Sequence, residues 1–184
     1  DTRVSLGASE WTNVTGFETI RLVGNNAAPV STLIGQNSYN LTLTNDLIDA
    51  NGGDMIHVIN DNDVNNDEED EVDTATTGTE FGVTLDARTL NAQNHFSYNG
   101  EEGASRTTDK FILGDANVNG ANVIDGGAVD NDGDTTFAAN TDILEVRNTA
   151  TVTTGDLANV RNVGIIAGSN DQATEQTLVL QLND

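Results

Sequence analysis

The apolar residues of this chain fall into short runs of three to six residues, separated by glycine, asparagine and aspartate. Runs of this length that are rich in β-branched residues and bounded by turn residues are typical of β-strands. Only residues 44–50 and 154–160 could form one or two turns of helix. The pattern predicts strands at residues 19–23, 55–59, 82–85, 110–113, 142–146 and 163–166.

Strands this short cannot bury a hydrophobic face alone, but many of them stacked in register can. The predicted fold class is all-β: a parallel β-solenoid of short strands, similar to a β-roll, with irregular loops. An internal repeat supports stacking, because residues 13–20 (NVTGFETI) resemble residues 159–166 (NVRNVGII) at an offset of 146. Each copy leads through a glycine–asparagine turn to a strand-like segment, at residues 40–46 and 176–182. The repeat indicates a piece of a longer repetitive protein.

The charge of the chain is strongly negative, since 30 acidic residues stand against 7 basic ones and give a net charge of −23. Self-repulsion at this charge opposes compaction, so the chain is either disordered or neutralised by bound cations when folded. The clustering of the apolar residues favours folding with cations. Because there is no cysteine, disulfides cannot stabilise the fold.

Basic residues are scarce, with Lys110 as the only lysine beside six arginines. This composition excludes a nucleic-acid-binding patch and argues against attachment to an anionic membrane. No run approaches the ~18–20 apolar residues of a transmembrane segment, so none is predicted. Low lysine with abundant aspartate, asparagine, threonine and glycine is typical of a secreted surface protein.

Two acidic loops in succession suggest calcium, which takes six to eight oxygen ligands from carboxylates, amides and carbonyls. In the first loop, Asp115, Asn117 and Asn119 place oxygens at alternate positions before a glycine. The alternative is a pair of asparagine- and aspartate-rich β-turns with solvated side chains. The second loop, residues 122–134, contributes the candidate ligands Asp125, Asp130, Asp132 and Asp134.

The most acidic stretch is residues 60–73, with eight carboxylates in 14 residues. Asp61, Asp63, Asn65 and Asp67 alternate as in a calcium loop, although Asn66 stands where a glycine is usual. A calcium loop and a solvated acidic hairpin loop fit this stretch equally.

These loops resemble the RTX, or haemolysin-type calcium-binding, family, whose nonapeptide Gly-Gly-x-Gly-x-Asp-x-U-x has a large apolar residue at U. Residues 126–128 match its start and residues 52–56 are a shortened version, but no intact nonapeptide occurs. The Asp-x-U part is matched by residues 109–111 and 142–144, and with asparagine by residues 122–124.

The resemblance implies a calcium-binding β-roll in which Asp54, Asp109 and Asp142 are further metal ligands. It also implies type I secretion of the unfolded chain and folding in calcium at the bacterial cell surface. Four segments are expected: residues 1–50, a β-solenoid segment that ends one module; 51–108, a β-rich segment with an acidic loop; 109–150, degenerate calcium-binding repeats; and 151–184, the start of the next module.

The expected function is structural: a calcium-binding module of a secreted surface protein that self-associates in an S-layer or extracellular matrix. The alternatives are a rigid spacer in a large adhesin and an accessory domain of a secreted polysaccharide-modifying enzyme, and a surface polysaccharide is a candidate partner. No enzyme is predicted, because His57 and His95 are the only candidate bases of their kind and lie in no catalytic constellation. Aromatic content of 4% also disfavours a sugar-binding cleft.

Overall fold

The computed structural model describes residues 3–23, 37–53, 55–61, 81–100, 108–127, 142–148, 151–169 and 178–181. Within these ranges the protein is mostly β and contains one short helix, α1 (Asn45–Ala50). No helix among the described residues is long and apolar enough to cross a membrane. The strands are β1 (Arg3–Leu6), β2 (Thr19–Val23), β3 (Asn37–Thr42), β4 (Met55–Asp61), β5 (Phe81–Asp86), β6 (His95–Asn99), β7 (Lys110–Leu113), β8 (Val123–Asp125), β9 (Ile143–Arg147), β10 (Thr151–Thr153), β11 (Val160–Arg161), β12 (Ile165–Ser169) and β13 (Val179–Gln181).

The strands form three sheets in which every pair is parallel. Sheet 1 has the order β1-β3-β5-β7-β9-β12, sheet 2 has the order β2-β4-β6-β8-β11, and sheet 3 contains β10 and β13. From β1 to β9, consecutive strands alternate between sheets 1 and 2. The all-β class and the parallel arrangement predicted from the sequence are therefore confirmed.

Apolar side chains at equivalent positions of successive strands form the core. In sheet 1, Leu41 lies opposite Leu85, which lies opposite Phe111, and all three are buried. In sheet 2, buried Tyr98 lies between buried Val58 and Ile124. The two stacks belong to one cluster, where the rings of Tyr98 and Phe111 pack edge to face with centroids 4.7 Å apart.

The predicted strands at residues 19–23, 55–59, 82–85 and 110–113 are confirmed, and those at 142–146 and 163–166 begin one and two residues later than predicted. The short helix at residues 44–50 is also present, and Thr44 caps it by accepting a hydrogen bond from the Leu47 N–H (3.2 Å). Residues 154–159 form turns before β11 instead of a helix. Strand pairs β3–β5, β5–β7 and β9–β12 connect the four predicted segments, whose boundaries stay a prediction.

Gly126, directly after β8, lies in close contact with the backbone that follows β11. Its N–H donates to the Arg161 carbonyl at 3.1 Å, and a Cβ atom would lie 2.3 Å from the Asn162 carbonyl oxygen. Gly126→Ala should lower the free energy of unfolding by about 1–3 kcal/mol, because backbone must move to admit the methyl group. Urea denaturation measures the change.

Gly155→Ala is the matched control, since the nearest atom to its added Cβ is Thr153 Oγ1 at an ordinary 3.6 Å. We expect the stability of this variant to change by less than about 1 kcal/mol. Equal effects of the two substitutions would show that the close approach at Gly126 does not matter.

Candidate metal sites

Two of the predicted calcium ligands, Asp109 and Asp142, lie buried side by side at the start of neighbouring strands of sheet 1. Asp142 Oδ1 accepts a hydrogen bond from the Asp109 N–H at 2.7 Å, and Asp109 Oδ1 accepts one from the Val83 N–H at 2.7 Å. Each carboxylate thus satisfies a backbone donor of the preceding strand in the sheet. A buried donor left without such a partner would destabilise the fold.

The second oxygen of Asp109 faces the core between the two sheets. The Tyr98 hydroxyl donates to Oδ2 at 2.5 Å, and the Asn60 amide nitrogen lies 3.4 Å from the same atom. Among the described residues, the buried Asn60 Oδ1 has no hydrogen-bond partner. The Asp109 carboxylate therefore joins sheet 1 to sheet 2 through polar contacts inside an otherwise apolar core.

Burial raises the pKa of Asp109 to about 6, although hydrogen bonds from Tyr98, Val83 and Asn60 favour its ionised form. Burial, and secondarily the charge of Asp109, raises the pKa of Tyr98 well above its ordinary value. The tyrosine hydroxyl is therefore a permanent hydrogen-bond donor to Asp109.

The predicted ligands of the first acidic loop stabilise a turn. Buried Asn117 donates from its amide nitrogen to the Ala87 carbonyl, and its Oδ1 accepts from the Gly114 N–H at 2.7 Å. Asn119 Oδ1 accepts from the Ala121 N–H at 2.9 Å, and Asp115 is exposed. These contacts are those of an asparagine-rich turn, but Asn117 is buried and not solvated as the alternative expected. Calcium coordination by the three side chains stays a prediction.

Asp125, at the end of β8, contacts residues that follow β8 and residues at the end of the neighbouring strand β11. Its Oδ1 accepts from the Asn162 amide at 2.7 Å and from the Gly127 N–H at 3.3 Å, and its Oδ2 lies 3.7 Å from Arg161 Nε. Asp61 ends β4, where the structure describes its backbone alone. The remaining predicted ligands lie outside the described residues: Asp54, Asp63, Asn65, Asp67, Asp130, Asp132 and Asp134.

In the part of the chain that the structure describes, no three histidine, aspartate or glutamate side chains gather in a way that could hold a metal ion. Most of the acidic loop residues fall in the stretches between the described ranges. The calcium sites predicted from the sequence therefore stay predictions.

A charged cluster around Glu145 was not predicted from the sequence. The Lys110 ammonium group contacts Glu145 Oε2, while Arg147 Nε and Ser169 Oγ donate to Oε1 at 2.5 and 2.6 Å. Burial acts to raise the pKa of Glu145, but the hydrogen bonds from Lys110, Ser169 and Arg147 outweigh it and hold the pKa at about 2. Glu145 and Arg147 lie on the same face of β9 because they are two residues apart in a strand. Lys110 lies near them because β7 pairs with β9.

The two histidines lie on neighbouring strands of sheet 2. Exposed His57 has its Nδ1 2.6 Å from Ser97 Oγ, and the buried Nδ1 of His95 has no hydrogen-bond partner among the described residues. Among the described residues, no carboxylate forms a hydrogen bond or an ion pair with either ring. The expectation that the chain is not an enzyme stays a prediction.

Comparison with known proteins identifies no relative: no family model, curated protein or solved structure matches this chain. Its function must therefore be argued from its fold, its charge and its own residues.

Proposed function

We propose that this chain is a calcium-binding structural module of a secreted bacterial cell-surface protein, built as a parallel β-solenoid related to the RTX β-roll. The observation that carries the proposal is the alternation of β1 to β9 between two parallel sheets. A solenoid coil runs in this way, and stacked coils bury a continuous core that no single coil could form. The in-register apolar stacks of sheets 1 and 2 support such a core.

The distribution of charge between the two kinds of connection supports a role for cations. Up to β9, four connections run from sheet 1 to sheet 2 and four run back. The four that run back, residues 24–36, 62–80, 100–109 and 126–142, carry fifteen acidic residues and one arginine. The four others carry six acidic residues and one arginine.

Because the strands are parallel, the connections that run back all leave the carboxyl ends of the strands of sheet 2. Fifteen acidic residues therefore belong to connections that begin at this edge of the stack, and like charges close together repel each other. Divalent cations bound by these residues would relieve the repulsion. Calcium suits them because it prefers carboxylate and amide oxygens.

Circular dichroism with and without a calcium chelator tests the proposal. For sites with dissociation constants of about 10⁻⁴ M, 1 mM calcium adds roughly 1.4 kcal/mol of stability per site, and 10 mM adds about 2.7. We expect chelation to abolish the β spectrum and added calcium to restore it. Sodium chloride at matched ionic strength is the control, and a spectrum unchanged by chelation would contradict calcium-dependent folding.

Light scattering as calcium is added distinguishes a self-assembling surface protein from a rigid adhesin spacer. Self-assembly into a surface layer or matrix predicts association in calcium but not in sodium chloride, since screening alone does not bridge carboxylates. A folded chain that stays monomeric in calcium would favour a rigid adhesin spacer. Assembly in both salts would mean that calcium promotes association only by screening charge.

A further inference from the structure

The internal repeat seen in the sequence is also a repeat in three dimensions, and it includes the turns before β2 and β12. The Gly7 N–H donates to Glu10 Oε2 at 2.8 Å, and 146 residues later the Thr153 N–H donates to Asp156 Oδ2 at 2.8 Å. The same offset relates the hydrogen bond from the Val14 N–H to the Trp11 carbonyl to that from Val160 to Leu157, both 3.0 Å long. Strands β1 and β2 are thus equivalent to β10 and β12.

The two copies place equivalent strands in different sheets. In the first copy, β1 pairs with β3 in sheet 1 while β2 lies in sheet 2. In the second copy, β10 pairs with β13 in sheet 3 while β12 lies in sheet 1. Strand β2, at one end of sheet 2, is therefore equivalent to β12, at one end of sheet 1.

The backbone hydrogen bonds identify which edges of β2 and β12 correspond. The Glu18 carbonyl accepts from the His57 N–H at 2.8 Å and so points toward β4. Successive residues of a strand direct their backbone groups to opposite edges, so the Thr19 N–H points away from β4. In the second copy, the N–H of the equivalent Ile165 donates to the Asp142 carbonyl at 3.0 Å, next to β9.

Strand β12 therefore pairs with β9 through one particular edge. In β2, the equivalent edge faces away from β4. The opposite edge of β12, which pairs with no strand within the described ranges, corresponds to the edge of β2 that binds β4. We propose that this outer edge of β12 binds the β4 of a further copy of the repeat. Sheet 1 of one copy then continues as sheet 2 of the next, and sheet 3 becomes the next sheet 1. This proposal rests on the proposed function as a repetitive structural module.

The exposed apolar residues beside this edge support a further copy as the occupant. Leu180 of β13 is equivalent to Leu41 of β3, because each lies opposite the equivalent residue of β10 or β1. Leu41 is 1% exposed beside Leu85 of β5, whereas Leu180 is 41% exposed. Ile165 and Val179 are exposed to a similar extent. A further copy would cover Leu180 as β5 covers Leu41.

The test extends the full chain by one copy, with residues 43–184 joined directly after Gln181, which is equivalent to Thr42. In this register Ile165 of the first copy lies opposite His57 of the added copy, as Thr19 does within one copy. Neighbouring strands are about 4.8 Å apart, within the range of a disulfide, and the natural chain contains no cysteine. Ile165→Cys in the first copy with His57→Cys in the added copy should therefore form a disulfide on oxidation.

Ile165→Cys with Ser97→Cys in the added copy is the matched control. Ser97 lies opposite His57 on β6, one strand further away at roughly twice the strand spacing, which is too far for a disulfide. Cross-linking of the first pair alone supports the proposal. Cross-linking of both pairs or of neither overturns it, as does loss of the β spectrum on joining the copies.

These experiments are run in calcium and compared with the single chain. If the single chain loses its fold without calcium but the first cysteine pair does not cross-link, the sheet continuation is wrong and the proposed function stands. If the pair cross-links while chelation has no effect, the calcium-dependent function is wrong and the mode of stacking stands.

Discussion

Replacement of Asp109 by alanine is expected to lower the free energy of unfolding by about 3–6 kcal/mol. Asp109 accepts hydrogen bonds from the Val83 N–H and the Tyr98 hydroxyl and contacts the Asn60 amide. Alanine would leave these buried donors without an acceptor, and each unsatisfied group destabilises by about 1–3 kcal/mol. Urea denaturation of the two proteins in the same calcium concentration measures the difference.

Asp109→Asn is the control that separates hydrogen bonding from metal binding. Its amide oxygen can still accept from the Val83 N–H, and the new NH₂ group can donate to the Tyr98 hydroxyl oxygen. The Tyr98 hydroxyl can in turn donate to the unpartnered Asn60 Oδ1. We therefore expect Asp109→Asn to be destabilised by about 1 kcal/mol or less at neutral pH, with unchanged calcium affinity. If both variants lose stability and calcium affinity equally, Asp109 acts as a metal ligand and the hydrogen-bond account is wrong.

The second large effect is a loss of stability as pH rises from about 4 to about 6. The pKa of Asp109 is raised from 3.8 to about 6 in the folded protein, so the folded state binds more protons than the unfolded state between these values. Stability then decreases with rising pH through this window. A shift of this size corresponds to a decrease on the order of 3 kcal/mol, which is complete above about pH 6.

The measurement is the unfolding free energy of the natural chain minus that of Asp109→Asn, followed from pH 4 to pH 8. Subtraction removes the contributions of the other carboxyl groups, which both proteins share. Glu145 has the opposite sign: its pKa is lowered from 4.5 to about 2, so its contribution is present above pH 4.5 and is lost as pH falls toward 2. A difference that stays flat across pH 4–6 would contradict the raised pKa of Asp109.

The sequence by itself predicted the all-β class and six of the described strands, two of them with shifted ends. Runs such as residues 19–23 and 110–113 became β2 and β7 because strand formation follows local alternation and nearby turn residues. The parallel arrangement also followed, since short strands separated by turns can bury their apolar side chains by stacking. The repeat at an offset of 146 was visible because equivalent coils need similar apolar positions and similar turns.

Only the tertiary structure shows which backbone donors the aspartates of the Asp-x-U pattern contact. The pattern at residues 109–111 and 142–144 looks the same whether the carboxylate binds calcium or a backbone N–H. The neighbouring strand supplies the donor, and at Asp109 it lies 26 residues away in the sequence. Such a contact exists only after the layers have stacked.

The tertiary structure also decided which sheet each copy of the repeat enters. Residues 13–20 and 159–166 have similar patterns, yet the first copy leads into sheet 2 and the second into sheet 1. Local sequence specifies that a strand forms and which side chains point inward. The partner of the strand depends on which strand edge lies next to it in the assembled stack, and local sequence does not specify that edge.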